Sequence, residues 1–312
     1  MGKLYMFGIG GTGSRVLRSL TMLLASGVDI NASEIVPIII DPDHAAADLT
    51  RTVSLMRKYA SIRGKLEFNA STSNKFFKTK INLDIVPNVV MPLVNTENVK
   101  FKDYIGFDTM VNGGANQALA AMLFSEKNLN SDMEVGFKGN PNIGSVVLNQ
   151  FQNSKVFQDV VASFNQGDRI FIISSIFGGT GASGFPLLIK NLRAANGNLS
   201  GAAAVKDAAI GAITVLPYFD LKPNAQSEID SSTFVAKTKA ALTYYDRNLT
   251  EADVLYYIAD NISKQYDNNE GGNLQKNDAH FVELVSALSM VDFMSIKNDN
   301  IIDPNTNNRF VI

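Results

Sequence analysis

The chain has 312 residues, of which 46% are hydrophobic and 19% charged, and its formal net charge is -2. That balance belongs to a folded protein able to bury a large core, and it excludes a disordered chain or a strongly basic nucleic-acid binder. The absence of cysteine excludes disulfides, thiolate metal sites and a cysteine nucleophile, and two histidines are too few for a histidine-based metal centre.

The start, Met1 to Phe7, leads straight into glycines, so it reads as a buried strand and not as a signal peptide. No apolar run reaches the roughly 18 residues of a membrane span. A cytoplasmic protein with no membrane span and no nucleic-acid partner is expected. In chain order, the short apolar runs Leu4–Gly8, Val36–Ile40, Arg169–Ser174, Ala209–Leu216 and Val254–Ala259 read as buried parallel strands. Helical spacing appears between them over Ser14–Ala25, Ser145–Phe164, Ala182–Ala195 and Thr233–Tyr245. The alternation predicts an α/β fold: a doubly wound, mostly parallel sheet with helices on both faces and ligands at the strand C-terminal edge. Residues from Asp48 to about Tyr104 break the alternation and read as an insertion, extending toward Lys138. The Asn- and Gly-rich stretch Ile262–Asn277 reads as a loop, followed by a helix over Ala279–Met294.

Gly8-Ile9-Gly10-Gly11-Thr12-Gly13 follows the first strand and opens the first helix. Glycines allow the backbone to approach phosphate oxygens, and the helix N-terminus supplies free N–H groups and positive potential. Asp41 ends the next strand, followed by Pro42 and Asp43. Alone, this pattern suits a Rossmann-type dinucleotide-dependent or adenylating enzyme, with Asp41 toward a ribose hydroxyl. A second loop, Ile176-Phe177-Gly178-Gly179-Thr180-Gly181-Ala182-Ser183-Gly184, again joins strand to helix. A dinucleotide fold has no need of it, whereas two such loops can ring one polyphosphate.

Here the sequence resembles the tubulin/FtsZ superfamily, and within it the divergent bacterial tubulin-like proteins. The second loop is similar to the Gly-Gly-Gly-Thr-Gly-[Ser/Thr]-Gly signature, with Phe177 in place of the first glycine and Ala182 in place of the following threonine. Gly139-Asn140-Pro141-Asn142-Ile143-Gly144 resembles the loop that meets the γ-phosphate, and it ranks above Gly113-Gly114-Ala115-Asn116. Thr214 to Phe219, with Pro217, resembles the strand and turn beside the sugar. Asp260-Asn261 resembles the pair that opens the central helix and reads guanine.

The resemblance implies a nucleotide-binding domain over residues 1–277, with an insertion around 48–138. The central helix and a C-terminal segment would follow over 278–312, with the usual second domain truncated or absent. It implies GTP or GDP and Mg²⁺ as ligands, Asp41 touching the metal, and head-to-tail self-association into an oligomer or filament. Hydrolysis would need an acid supplied to the neighbouring subunit; Asp303, in Asn298-Asp299-Asn300-Ile301-Ile302-Asp303, is the candidate, ahead of Glu283. GTP against ATP stays open, and so does a member that binds nucleotide without turnover. Lys190 stands where many members carry a ribose-binding acid. Arg15 could lie over a phosphate, but an exposed helix arginine is the commoner outcome, and His44 and His280 are expected as structural or solvated.

Overall fold

The structure is a computed structural model. It describes residues 1–68, 74–133, 136–224, 227, 229–262, 264–269, 271–274, 277–297, 301 and 310–311. The elements in chain order begin with β1 (Leu4–Ile9), α1 (Gly10–Ala25), β2 (Glu34–Ile40), α2 (Ala47–Arg63) and β3 (Lys80–Ile81). The short helices α3 (Phe101–Tyr104), α4 (Ala115–Leu123) and α5 (Glu126–Leu129) precede α6 (Pro141–Val147) and α7 (Lys155–Ser163). Next come β4 (Arg169–Ser175), α8 (Gly179–Arg193), α9 (Ala202–Asp207), β5 (Ile210–Val215) and β6 (Asp220–Leu221). The chain then forms α10 (Phe234–Asn248), β7 (Val254–Ile258), β8 (Gln265–Tyr266), α11 (Phe281–Ser295) and β9 (Phe310–Val311).

Among the described residues one sheet has the order β3-β2-β1-β4-β5-β7-β9, with every pairing parallel. β1 is an interior strand between β2 and β4, with Leu4 opposite Ile35 on β2 and Arg169 on β4. All six residues of β1 are buried, as a strand covered on both faces requires. Its side chains alternate: Tyr5, Phe7 and Ile9 enter one core, and Leu4 and Met6 the other. Helices α1, α2 and α11 cover the second face; α6, α7, α8 and α9 cover the first. The sheet is therefore doubly wound, as the alternation of runs predicts. β6 and β8 form a separate two-stranded parallel ribbon.

Two expectations are revised. The segment from Asp48 does not open as irregular insertion: α2 occupies 47–63, with Leu49, Val53 and Met56 packed into the α1 core. The single helix over Ser145–Phe164 is two helices, α6 and α7, separated by a 3-10 turn at Leu148–Asn153 and by Ser154 in extended conformation. The polar run Asn149, Gln150, Gln152, Asn153 and Ser154 lacks the apolar stripe that would hold one long helix. The short ribbon of β6 and β8 carries no run long enough to be read from sequence.

Candidate phosphate-binding cavity

Two strand-to-helix junctions, β1–α1 and β4–α8, and the loop that leads into α6 meet at the C-terminal edge of the sheet. Gly10 opens α1 directly after β1 with φ +70, a conformation that favours glycine. A methyl group placed on Gly10 would lie 3.6 Å from Thr180 Cβ and 4.0 Å from the Gly181 amide nitrogen. A methyl on Gly179 would lie 3.0 Å from the amide nitrogen of Asn140 and 3.1 Å from that of Gly139. The first, second and γ-phosphate-like loops therefore touch one another. Gly10, Gly11, Thr12, Gly139, Gly178, Gly179, Thr180 and Gly181 all line one cavity. Its volume is about 160 Å³, and it is partly open to solvent.

The helix ends at this cavity are left open. Neither α1 nor α8 has a side-chain cap or an acidic residue in its first turn, and the same holds for α6. Uncapped N–H groups at the convergent starts of α1 and α8 make a site for an anion, supported by the helix dipoles. Lys138 also lines the cavity. Behind it, Lys237 Nζ donates to the Gly139 carbonyl at 2.8 Å, and burial holds its pKa below the ordinary lysine value.

The opposite wall is acidic, formed by Asp41, Asp43 and Asp48. Asp48 is bound to Arg15 and Arg51. Asp43 accepts from the Gly272 and Ala45 amides at 2.6 and 3.1 Å. Asp41 accepts only the Asp43 amide, at 3.1 Å, among the described residues. Burial, reinforced by the charges of Asp43 and Asp48, pushes its carboxyl up to about 7. Among the described residues no three metal-ligating side chains are grouped to hold an ion unaided. A buried, under-paired carboxylate beside a phosphate cradle fits a magnesium ion that takes its remaining ligands from phosphate oxygens and water.

Arg15 is not exposed, contrary to expectation; it is 4% exposed and lines the cavity. Its guanidinium donates to Asp48 Oδ2 and Glu283 Oε1, both at 2.6 Å, to Tyr218 Oη at 2.7 Å and to Thr12 Oγ1 at 3.1 Å. Tyr218 donates in turn to Glu283 at 3.2 Å. Burial alone would lower the Arg15 pKa, but Tyr218, Asp48 and Glu283 outweigh it and raise it. Glu283 is thus committed to a salt bridge inside the molecule. His44 is exposed and His280 half-buried, its ring bonded to Tyr266 Oη at 2.7 Å.

The remaining residues divide. Gly13 sits beneath the loop: a methyl there would lie 2.5 Å from the Gly8 carbonyl carbon, so it sets how closely α1 packs on β1. Asn140 and Pro141 begin α6 beside Gly179 without lining the cavity. Pro217 does not line it, although its neighbours Tyr218 and Phe219 reach the Arg15 network and the cavity wall. Asp260 and Asn261 are exposed, lie outside the lining and open no helix. The helix they were expected to open, α11, begins at Phe281, directly after Asn277-Asp278-Ala279-His280. Asn277 lines the cavity, as do Asp267, Asn269, Phe137, Phe177 and Phe234. Asn277-Asp278 ahead of a visible helical pattern was the signal that could have found this position. Lys190 reaches only Tyr244 Oη, at 3.4 Å. Asp303 lies outside the described residues.

Among the described residues no helix is long and apolar enough to cross a membrane. No protein-family profile matches the chain, and no curated protein matches it. Solved structures similar to it in fold include CetZ from Methanosaeta thermophila, at 17% identity and TM-score 0.42, covering 83% of this chain and 46% of that one. CetZ1 from Haloferax volcanii, a GDP-bound monomer, is 14% identical at TM-score 0.47 over 99% of this chain and 65% of its own. CetZ2 from Haloferax volcanii, a GTPγS-bound protofilament, is 12% identical at TM-score 0.45 over 96% of this chain and 60% of its own. The chain thus spans between about half and two thirds of the length of these structures. Each is a likeness of fold at low identity.

Proposed function

We propose that the cavity binds the polyphosphate of a guanine nucleotide, GTP or GDP, together with Mg²⁺, as in the tubulin/FtsZ superfamily. One observation carries this reading: three glycine loops, each opening an uncapped helix free of acidic residues, converge on a single cavity. The α1 and α8 loops would hold the phosphates, with Thr180 donating its hydroxyl and the Gly139 loop meeting the terminal phosphate. Asp41 would hold the metal. Sugar and base would lie toward the solvent-facing part of the cavity. Base recognition is assigned to Asn277 and Asp278, because they precede the central helix and Asn277 lines the cavity. A carboxylate accepts from guanine N1–H and N2–H, which adenine does not offer.

Titration with fluorescent GTP, GDP and ATP tests this. Magnesium-dependent binding with guanine preferred is expected, relaxed toward adenine by Asp278→Ala. Thr180→Ala removes a hydrogen bond to a charged group and is expected to weaken binding about tenfold or more. Loss of affinity in Gly11→Ala with Thr180→Ala unaffected would instead favour the single-loop dinucleotide or adenylating reading. Self-association belongs to the same proposal: heterologous head-to-tail contact that does not close yields a filament. Sedimentation of polymer with GTP but not with GDP, and phosphate release abolished by Asp303→Ala, are its expected signs. Tight GTP binding with no polymer at high protein concentration would remove the assembly half of the proposal.

A further inference from the structure

Away from the phosphate cavity, the outer face of α2 forms one wall of a groove of about 790 Å³, and the 88–92 segment with Val156 forms the other. The two faces of α2 differ sharply. Its one acid, Asp48, turns inward to Arg15, while Arg57 and Lys58 stand exposed at the groove with His44 nearby. No acidic residue lines the groove. Among the described residues neither Arg57 nor Lys58 forms a salt bridge, in a chain whose net charge is -2. The floor is apolar and recessed: Leu49 is 5% exposed and Val53 7%, with Val90 half-buried opposite.

The far wall is held in an unusual conformation. Asn88 and Val89 have φ +59 and +68, and for a β-branched residue such a backbone costs about 1–3 kcal/mol. Burial of Val89 and the Met91 amide bond to the Ile39 carbonyl at 2.9 Å keep the segment there. Arg57 donates to Asn88 Oδ1 across the groove at 2.7 Å and retains further N–H donors.

We propose that this groove binds an extended acidic peptide in which apolar side chains alternate with carboxylates. From Leu49 to Ser61 the helix runs about 18 Å, the length of five or six extended residues. Alternate side chains of such a segment would enter the Leu49, Val53 and Val90 floor, and the intervening carboxylates would meet Arg57 and Lys58. A peptide fits better than a lipid surface because the apolar groups are recessed between two walls and do not protrude.

The probe is a fluorescein-labelled hexapeptide pool alternating Leu, Val or Phe with Asp or Glu, set against an Asn/Gln pool and anionic phosphatidylserine vesicles. Anisotropy is expected to show binding of the acidic pool alone, weakened by salt, and reduced at least tenfold by Arg57→Glu with Lys58→Glu. Hydrogen exchange should slow across 47–63 and 88–92 when the acidic pool binds. An unchanged melting temperature identifies the double variant as folded. Should it fail to fold, Lys58→Gln alone gives the charge test, with a several-fold loss expected. No acidic-pool binding at millimolar concentration, equal binding by the neutral pool, binding unaffected by the charge changes, or binding only to vesicles would each overturn the proposal.

Discussion

Arg15 brings a full charge into a place where only two carboxylates and two hydroxyls can satisfy it. Removing it leaves Glu283 buried without its cation and leaves Asp48 only the outer arginines Arg18 and Arg51, so Arg15→Ala is expected to cost about 3–5 kcal/mol in denaturant unfolding. Adding Glu283→Gln to that variant should recover part of the loss, and strict additivity of the two changes would refute the coupling. Asp41 acts in the opposite sense. Its folded pKa of about 7 lies above its ordinary 3.8, so the native state holds the extra proton between those values. Stability of the nucleotide-free protein therefore falls as pH rises through that window and levels off above about 7. Asp41→Asn should flatten this slope in melting curves. Magnesium–nucleotide affinity should run the other way, weakening as pH drops below about 7, because the metal takes only the ionised carboxylate. Arg15 was illegible in the sequence for a physical reason. Its partners stand 33, 203 and 268 residues away, and helical spacing alone assigns a charged side chain to solvent.

At the scale of elements, the glycine loops separate tightly packed from cavity-facing positions. A methyl on Gly13 would meet the Gly8 backbone at 2.5 Å, whereas one on Gly11 meets only Arg15 Nη1 at 3.3 Å and Asp48 Oδ2 at 3.9 Å. Gly13→Ala is thus expected to destabilise the fold by about 1–3 kcal/mol as α1 is forced off β1. Gly11→Ala should leave the melting temperature within a few degrees and still lower nucleotide affinity, since its methyl projects where phosphate would approach. Equal effects of both changes on melting would contradict this division. These loops were legible because a buried strand, a run of glycines and a helical pattern all lie within a few residues of each other. The expectation that Asp260-Asn261 opens the central helix failed for the same local reason. Asp260-Asn261 follows a clear strand, yet what matters is the helix that comes after, and about twenty residues separate the two. The opening of α2 was likewise decided by packing that a short window of sequence does not contain, whereas the split of α6 from α7 follows the polar run at 149–154.

For the whole molecule, the two-faced parallel sheet was readable from the order of apolar runs, while β3, β6 and β8 were too short to announce themselves. The position of β1 between β2 and β4 has a consequence for how the chain acquires its shape. β1 can pair with β2 after a short excursion, but its other neighbour, β4, is 165 residues further along. The middle ladder, which also places the first glycine loop beside the second, cannot zip until more than half of the polypeptide has been made. Closing so long a span costs chain entropy before any contact repays it, so folding should be slow and late. During synthesis the first strand would wait at the ribosome with one edge open, exposed to chance pairing until its distant partner emerges.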